Sequence, residues 1–260
     1  MSFADQWATI SVLWTHDLKR FFRKPSRLIG AFLQPVIFWV MIGSGFSSTF
    51  KLVGAEDLSY EQYFFPGVVM MLVLFAAIFG TITVIEDRRE GFLQSVLIGP
   101  GSRSALVIGK SLGVSSIGLI QATIFLALAP YAGYSYAEIN WFALFTFLTL
   151  GALALSTFGF ALAWWLNSSQ AYHAIMSVIL IPGWILIGAM FPINQSNTTL
   201  SWIMTLNPMS YIVDGVRRAL QSELPTHTAV SSGSFVDFQV VGGFLIFSLF
   251  WATVTINKSK

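Results

Sequence analysis

The sequence contains no cysteine among its 260 residues. A disulfide framework, a thiolate metal site and a cysteine nucleophile are therefore excluded. Histidine is also scarce: the three that occur, His16, His173 and His227, are scattered along the chain, and no two have the spacing of metal ligands. No serine–histidine–carboxylate set can be assigned, so we expect no catalytic site and no metal or cofactor held by this chain.

Charged residues are the second shortage. They make up 10% of the chain, against about 25% in ordinary soluble domains. Hydrophobic residues make up 55%, and the mean hydropathy is +0.71. A water-soluble fold of this size needs more polar side chains to cover its surface. The composition therefore predicts a membrane protein with five to seven spans of about 20 residues each.

A nucleotide-binding loop is missing as well. The stretch from Ser104 to Ser111 approaches the phosphate-binding pattern G-x-x-x-x-G-K-S, but Ser104 stands where the first glycine is required. Leu106, Val107 and Ile108 also form an apolar run that enters a helix, whereas the phosphate loop follows a strand. We therefore expect that this chain does not hydrolyse ATP alone.

Hydropathy divides the chain into six apolar segments, which predicts an all-α membrane protein with six transmembrane helices. The predicted spans are 28–49, 64–85, 112–132, 141–166, 171–191 and 238–256, within one domain of residues 28–256. These segments contain no carboxylate. Carriers coupled to protons or sodium generally need an ionisable group within the membrane, so ion-coupled transport is disfavoured.

Basic residues orient the predicted spans. Eleven of the fourteen Lys and Arg lie before the first span, between the second and third, or in the tail 257–260. Only Lys51, Arg217 and Arg218 lie on the opposite side. Because basic residues resist translocation, both termini are predicted to be cytoplasmic.

Residues 1–27 precede the first span and carry an apolar stripe at helical spacing. Trp7 and Trp14 belong to this stripe, and Lys19, Arg20 and Arg23 crowd the end of the helix. Aromatic and basic residues on one helix are typical of a helix that lies in the headgroup layer. Packing against the cytoplasmic side of the protein is a compatible alternative.

Residues 201–222 predict external helices between the fifth and sixth spans. Asn207 and Pro208 have the pattern of a helix start, with Asn as the cap and Pro at the first helical position. Tyr211 follows, and Asp214 and Arg217 lie opposite the apolar face. This helix is too polar to span, so we expect an outer-leaflet or partly re-entrant helix; a surface helix is the alternative.

Residues 86–101 predict a short cytoplasmic helix between the second and third spans. Phe92, Leu93, Val96 and Leu97 give it an apolar face next to a charged segment. A helix of this kind is suited to docking into a groove on a soluble partner. A plain connecting loop is the alternative, although such loops do not usually carry an unburied apolar face.

These residues resemble the signature of the type 2 ABC transporter permeases. The resemblance is carried by Val84 to Arg103, followed by Gly109 and Lys110, and by the stretch from Asn207 to Arg217. It extends over nearly the whole chain. The sequence departs from the family pattern with Phe92 where threonine is usual and Gln94 where glutamate is usual.

The resemblance implies a division of roles among the residues. The helix at 86–101 would be a coupling helix pressed into an ATPase subunit. Its residues are Glu86, Arg88, Arg89, Glu90, Gly91, Leu93, Leu97, Pro100 and Arg103. The N-terminal helix would be a second contact with that subunit. Asn207, Pro208, Tyr211, Asp214 and Arg217 would shape an outer gate.

The resemblance also implies the assembly. Two permease copies, as a homodimer, would pair with two ATPase subunits, which would bind ATP and Mg²⁺. The location would be the bacterial cytoplasmic membrane, with lipid as a further partner and no role for nucleic acid. The expected function is ATP-driven export of an amphipathic, drug-like or lipid-linked substrate. Export of a polysaccharide or lipid-linked glycan is an alternative, and a non-transporting scaffold or assembly factor is a third.

Overall fold

The computed structural model describes residues 3–23, 25–46, 58–99, 101–190, 198–221 and 233–258. Every regular element in these ranges is helical, which confirms the all-α prediction. The α-helices are α1 (Phe3–Phe22), α2 (Pro25–Phe46), α3 (Tyr60–Arg89), α4 (Phe92–Ile98), α5 (Arg103–Leu126), α6 (Trp141–Leu166), α7 (Ser169–Trp184), α8 (Thr198–Leu206), α9 (Pro208–Leu220) and α10 (Ser234–Lys258). A 3₁₀ turn at Ala129–Ala132 and a π turn at Ile185–Ala189 complete the described elements.

Five of the described helices are long and apolar enough to cross a membrane. They are α3, α5, α6, α7 together with its π turn, and α10. The chain is therefore a multi-pass membrane protein. The apolar part of α2, Phe32–Phe46, is shorter, so the six-span layout stays a prediction in which α2 is the first span.

Helix α3 occupies the centre of the bundle. It packs against α2, α5, α6 and α9, and its side chains are buried almost without interruption. Phe65 of α3 stacks on Phe125 of α5 with 4.8 Å between ring centroids. The indole nitrogen of Trp184 donates to the carbonyl of Gly67 at 3.0 Å, so α7 is joined to the same helix. A movement of α3 is therefore expected to displace the helices that pack against it.

Side-chain caps determine where several helices begin. Ser59 accepts a hydrogen bond from the amide of Gln62 at the start of α3, at 3.1 Å. Ser102 does the same for Ala105 at the start of α5, at 3.0 Å. These caps satisfy amides that have no partner within the helix.

The helices around the predicted coupling segment differ from the sequence-based expectation. Helix α3 continues to Arg89, so residues 86–89 belong to a span and not to a separate helix. Helix α5 begins at Arg103, nine residues before the predicted third span, and ends at Leu126. Hydropathy excludes charged residues such as Asp87 and Lys110 from spans, whereas here they pair with each other inside the bundle. Only Phe92–Ile98 remains as a separate short helix.

The predicted fifth span, 171–191, is interrupted near its end. Helix α7 stops at Trp184 and passes into the π turn, where Gly188 has a φ of +76°. A residue with a side chain adopts this left-handed conformation only with strain, so glycine is needed here. The last residue of the predicted span, Phe191, lies outside the described residues.

Small residues of α5 bring α1 close to it. A Cβ placed on Gly109 would lie 3.0 Å from the Cβ of Leu13 and 3.1 Å from the carbonyl oxygen of Ile10. A Cβ on Gly113 would meet Asp17 at 2.8 Å. The Gly109–Gly113 pair therefore receives the N-terminal helix and not another span.

Replacing Gly109 by leucine is expected to force α1 away from α5. Overpacking of this kind costs about 1–3 kcal/mol of unfolding free energy. The measurement is detergent-induced unfolding followed by tryptophan fluorescence. Gly243→Leu in α10 is the matched control, because a Cβ at Gly243 meets nothing within 4 Å. Equal stability of the two variants would contradict the proposed close contact.

Candidate functional site

A buried group of charged residues joins α1, α3 and α5. Lys110 is 1% exposed, and its ammonium donates to Asp17 Oδ1 at 2.7 Å and to Asp87 Oδ2. Arg20 donates from one nitrogen to Asp87 Oδ1 at 2.6 Å and from another to Glu86 at 2.7 Å. We call these five residues the ion cluster. The N-terminal helix is thereby tied to two spans through charge-assisted hydrogen bonds.

The ion cluster has a specific energetic role. Buried charges lose their hydration, and their mutual attraction repays that loss only when the geometry is good. The cluster is therefore weak evidence for a high free energy of unfolding. It does fix the relative positions of α1, α3 and α5. Removing Lys110 would leave Asp17 buried without its cation and would break the ionic link between α1 and α5, which is why α1, α3 and α5 are expected to move together.

Asp17 experiences opposing electrostatic effects in the cluster. Burial raises the pKa of its carboxyl above the ordinary value, and Lys110 offsets part of that rise. Its second oxygen, Oδ2, has no hydrogen-bond partner among the described residues. Part of the carboxylate is therefore available for another donor.

His16 connects the ion cluster to α4. Its Nδ1 lies 3.5 Å from Asp17 Oδ1, and its ring stacks on Phe92 at 4.8 Å between centroids. His16, Asp17 and Asp87 also lie close enough together to hold a metal ion. The ammonium of Lys110 already bonds both carboxylates, however, so a cation would have to displace it, and the set fits a metal poorly.

The short helix α4 places its predicted contact residues on different sides. Leu93 is fully buried within the chain, and Leu97 is partly buried. Leu93 was expected to touch a partner, and its burial corrects that expectation: the residue holds α4 onto the bundle. Ile98, in contrast, is 87% exposed, and Glu90, which precedes α4, is also exposed.

The arginines of the predicted coupling segment bind helix ends. Arg88 donates to the carbonyl of Trp164 at 3.1 Å and lies 4.6 Å from the centre of its indole ring. Arg89 donates to the carbonyl of Asn167 at 3.3 Å. Cations at helix C-termini satisfy free carbonyls and the helix dipole.

Arg103 binds another helix end in the same way, and Gly91 makes the turn between α3 and α4. Arg103 donates to the carbonyls of Ile256 and Asn257 at 3.0 and 3.2 Å, at the end of α10. Gly91 has a φ of +80°. Pro100 lies outside the described residues. Of the predicted coupling residues that the structure describes, Arg89, Glu90 and Arg103 are exposed, and the two arginines are engaged by helix-end carbonyls.

The N-terminal helix turns only part of its aromatic stripe outward. Trp7 is 61% exposed, and Trp14 is 38% exposed while its indole nitrogen donates to Ser116 at 3.0 Å. Lys19 and Arg23 are exposed. Arg20, expected at the membrane surface with them, is instead a member of the ion cluster. The helix thus packs on the protein and also presents an aromatic and basic surface, so both alternatives for this helix are compatible with its geometry.

A second buried charged group lies near the other end of α3. Arg217 is 2% exposed and donates to the carbonyl of Gly188 at 2.9 Å. The hydroxyl of Tyr63 donates to the same carbonyl at 2.7 Å, and the guanidinium lies 4.6 Å from the Tyr63 ring centre. Asp214, 1% exposed, lies 3.5 Å from Arg217. The left-handed Gly188 turn is therefore held by buried polar groups.

The burial of Asp214 and Arg217 corrects the expectation for α9. Asp214 and Arg217 were placed on the face opposite the apolar one, but α9 is buried on nearly all sides by α6, α10 and the π turn. A surface helix is excluded. The predicted start is confirmed: Asn207 accepts from the amide of Met209 at 3.0 Å, with Pro208 at the first helical position.

Two further hydrogen bonds fix the start of α9. The amide nitrogen of the Asn207 side chain donates to the carbonyl of Gly183 at 3.0 Å. The hydroxyl of Tyr211 donates to the carbonyl of Thr205 at 2.9 Å. The predicted outer-gate residues thus form one packed assembly around the end of α7, whereas their role in a gate stays a prediction.

Sequence reasoning missed the centre of the ion cluster. Asp17 was not selected at all, and Lys110 was considered only in a false phosphate loop and in the family resemblance, not as a buried charge. One signal was present: Lys110 is a single charge in a helical segment that is otherwise apolar and contains several glycines. Such charges need partners, but spacing along the chain cannot identify partners on three different helices.

Comparison with known proteins agrees with this architecture. The family described as ABC-2 type transporter matches residues 8–220. Transport permease ycf38 of Cyanophora paradoxa is 26% identical over 198 residues, which cover 75% of this chain and 68% of that protein. Multidrug ABC transporter permease YbhR of Escherichia coli K12 is 25% identical over 160 residues, covering 61% and 43%. Nodulation protein J of Rhizobium meliloti 1021 is 23% identical over 229 residues, covering 84% and 83%.

Replacing Lys110 by methionine is expected to leave Asp17 buried without its cation and Asp87 with Arg20 alone. Breaking a buried pair in this way costs about 3–5 kcal/mol. The loss should shrink as the pH falls. The raised pKa of Asp17 means that the folded state binds protons more readily than the unfolded state, so acid favours folding.

The test is the unfolding midpoint in detergent at pH 7.5 and 5.5. Lys19→Met, which removes an exposed lysine of α1, is the control and should change little. Asp17→Asn added to Lys110→Met should recover part of the lost stability. A loss that is absent, or that grows in acid, would contradict the assigned role of Lys110.

Proposed function

The chain belongs to the ABC-2 type transporter family, and from this premise we propose that it is the membrane-spanning permease subunit of an ATP-driven exporter. Members of this family are membrane subunits without an ATPase domain of their own, and they normally pair with an ABC ATPase subunit. ATP and Mg²⁺ bind on that partner, and this chain binds no cofactor. Two permease copies and two ATPase subunits make the working complex, in the bacterial cytoplasmic membrane.

The observation that carries this proposal is the attachment of α4 to the ion cluster. Helix α4 follows α3 across the Gly91 turn, and His16 of α1 stacks on Phe92. The ion cluster in turn joins α1, α3 and α5. A force applied to α4 from outside the membrane is thus transmitted to three helices at once.

The surface available to the ATPase is small and mixed in character. Ile98 projects its side chain outward, and Glu90, Gln94 and Ser95 are exposed around it. An apolar centre with a polar rim is the usual anatomy of a protein–protein contact. The buried side chain of Leu93 packs α4 against the bundle. A force on α4 therefore moves the bundle and not only the connecting segment.

The orientation follows from the charges. Both termini and α4 face the cytoplasm in this proposal, since the basic residues concentrate there. Helices α8 and α9 then lie toward the outer surface, where Arg217 and Tyr63 hold the Gly188 turn. Movement of α3 toward or away from α7 would alter this turn, which makes it suited to an outer gate.

The substrate proposed is an amphipathic, drug-like or lipid-linked molecule. The name of the relative YbhR, a multidrug transporter permease, supports the drug-like class. The alternative is export of a polysaccharide or lipid-linked glycan by the same complex. The two substrate classes are distinguished by testing which compound stimulates ATP turnover of the complex. A scaffold without transport requires no ATPase partner at all.

Replacing Ile98 by aspartate is expected to weaken docking of the ATPase subunit. A carboxylate forced into an apolar contact should reduce ATP turnover of the complex about tenfold or more. Glu90→Ala should lower turnover less, because Glu90 lies at the rim. Both are measured on complexes co-purified with the ATPase subunit in lipid nanodiscs.

Tyr131→Asp is the matched control, because Tyr131 is 82% exposed in the turn at the opposite end of α5. It should leave turnover unchanged. Normal ATP turnover in both the Ile98 and Glu90 variants would reject α4 as the coupling element. Purification of the wild-type chain without any ATPase would reject the exporter proposal itself.

A further inference from the structure

A cavity of about 300 Å³ lies between α1, α2, α3 and α5. Phe21, Phe75 and Phe79 contribute aromatic rings to its wall. Gly30 and Gln34 of α2 line it and are exposed, so the cavity opens along α2. Its volume and its mainly apolar lining with a few polar groups are typical of sites for small amphipathic ligands.

Gln121 is the unusual residue of this cavity. It lines the cavity and is only 2% exposed, yet neither its amide nitrogen nor its amide oxygen has a hydrogen-bond partner in the described part of the chain. Buried amides are nearly always paired, because an unpaired one has lost its water without compensation. A ligand that offers a hydrogen-bonding group would satisfy it.

One end of the cavity is formed by members of the ion cluster. Asp17 and Arg20 line it. Nη1 and Nη2 of Arg20 donate to Asp87 and Glu86, whereas Asp17 Oδ2 has no partner among the described residues. Asp17 Oδ2 is therefore an unpaired acceptor at this end of the cavity.

The charges around this end favour a cation. The ion cluster contains three carboxylates but only two cationic side chains, so its formal charge is −1. His16 contacts Asp17 but does not line the cavity, and Lys19 and Arg23 are exposed. The phenylalanine rings add a surface that attracts cations.

We infer that this cavity is a binding subsite for an amphipathic organic cation that carries N–H donors. The charged part lies toward Asp17, Gln121 pairs with a polar group of the ligand, and the rings hold its apolar body. A phospholipid headgroup fits worse, because its phosphate would face the surplus carboxylate. That the bound cation is also the exported substrate rests on the proposed function. Binding of the cation to the cavity requires no ATP.

The experiment uses the permease–ATPase complex in nanodiscs and ethidium, an aromatic cation with N–H donors, in equilibrium dialysis. Empty nanodiscs correct for partition into lipid. We expect saturable ethidium binding that the anion 1-anilinonaphthalene-8-sulfonate does not displace. If the anion displaced bound ethidium at the same concentration as unlabelled ethidium does, the proposed preference of the cavity for cations would be overturned.

Two glycines of α2 provide a matched pair of variants. A Cβ on Gly30 or on Gly45 meets nothing within 4 Å, but only Gly30 lines the cavity. Gly30→Trp should abolish saturable ethidium binding, and Gly45→Trp should leave it unchanged. Gln121→Leu, which removes the amide and keeps a side chain of similar size, should weaken binding about tenfold.

The outcomes separate this inference from the proposed function. Unchanged ethidium binding in both Gly30→Trp and Gln121→Leu would overturn the inference, even if the complex still hydrolyses ATP normally. Loss of binding in Gly45→Trp as well would also overturn it, because that position is remote from the cavity. Failure of the ATPase to co-purify, with specific ethidium binding retained, would reject the exporter proposal alone.

Discussion

The pairing of Lys110 with two carboxylates is the interaction on which the half of the bundle that carries α4 depends. The ammonium of Lys110, a residue of α5, bridges Asp17 of α1 and Asp87 of α3. None of the three charges is tolerable alone in a buried site. Their joint burial therefore determines the position of the N-terminal helix, the length of two spans and the place from which α4 extends.

A second buried cation acts at the opposite end of the same central helix. Tyr63 and Asp87 are separated by 24 positions of α3, which corresponds to roughly 36 Å of helix. Tyr63 contacts Arg217 and the Gly188 turn, whereas Asp87 belongs to the ion cluster. Helix α3 thus spans about the thickness of the membrane with one polar assembly near each end. A rigid helix between two such assemblies is a direct mechanical link between them.

In the proposed complex, this arrangement would link an ATPase partner to the helices of the bundle. The exposed surface of α4 is small, but α4 is held by Leu93, by the Phe92–His16 contact and by the Gly91 turn. The cavity beside the ion cluster lies among the helices that would move with α4. Ligand binding and the proposed coupling therefore share the same charged residues, so each is expected to influence the other.

The sequence by itself determined the helical class, the membrane environment and the capped start of α9 at Asn207. These properties depend on composition and on neighbours a few positions apart, which are visible along the chain. The family resemblance was likewise carried by contiguous stretches, and the comparisons confirmed it.

Only the tertiary structure decided which charges are paired. Asp17, Asp87 and Lys110 lie 23 to 93 positions apart, and hydropathy could only exclude them from spans. Arg217 and Leu93 were misplaced for a related reason: periodicity shows that residues share a helix face, but not whether another helix covers that face. Burial depends on neighbours that are distant in sequence, and here it converts expected surface groups into the interactions that organise the bundle.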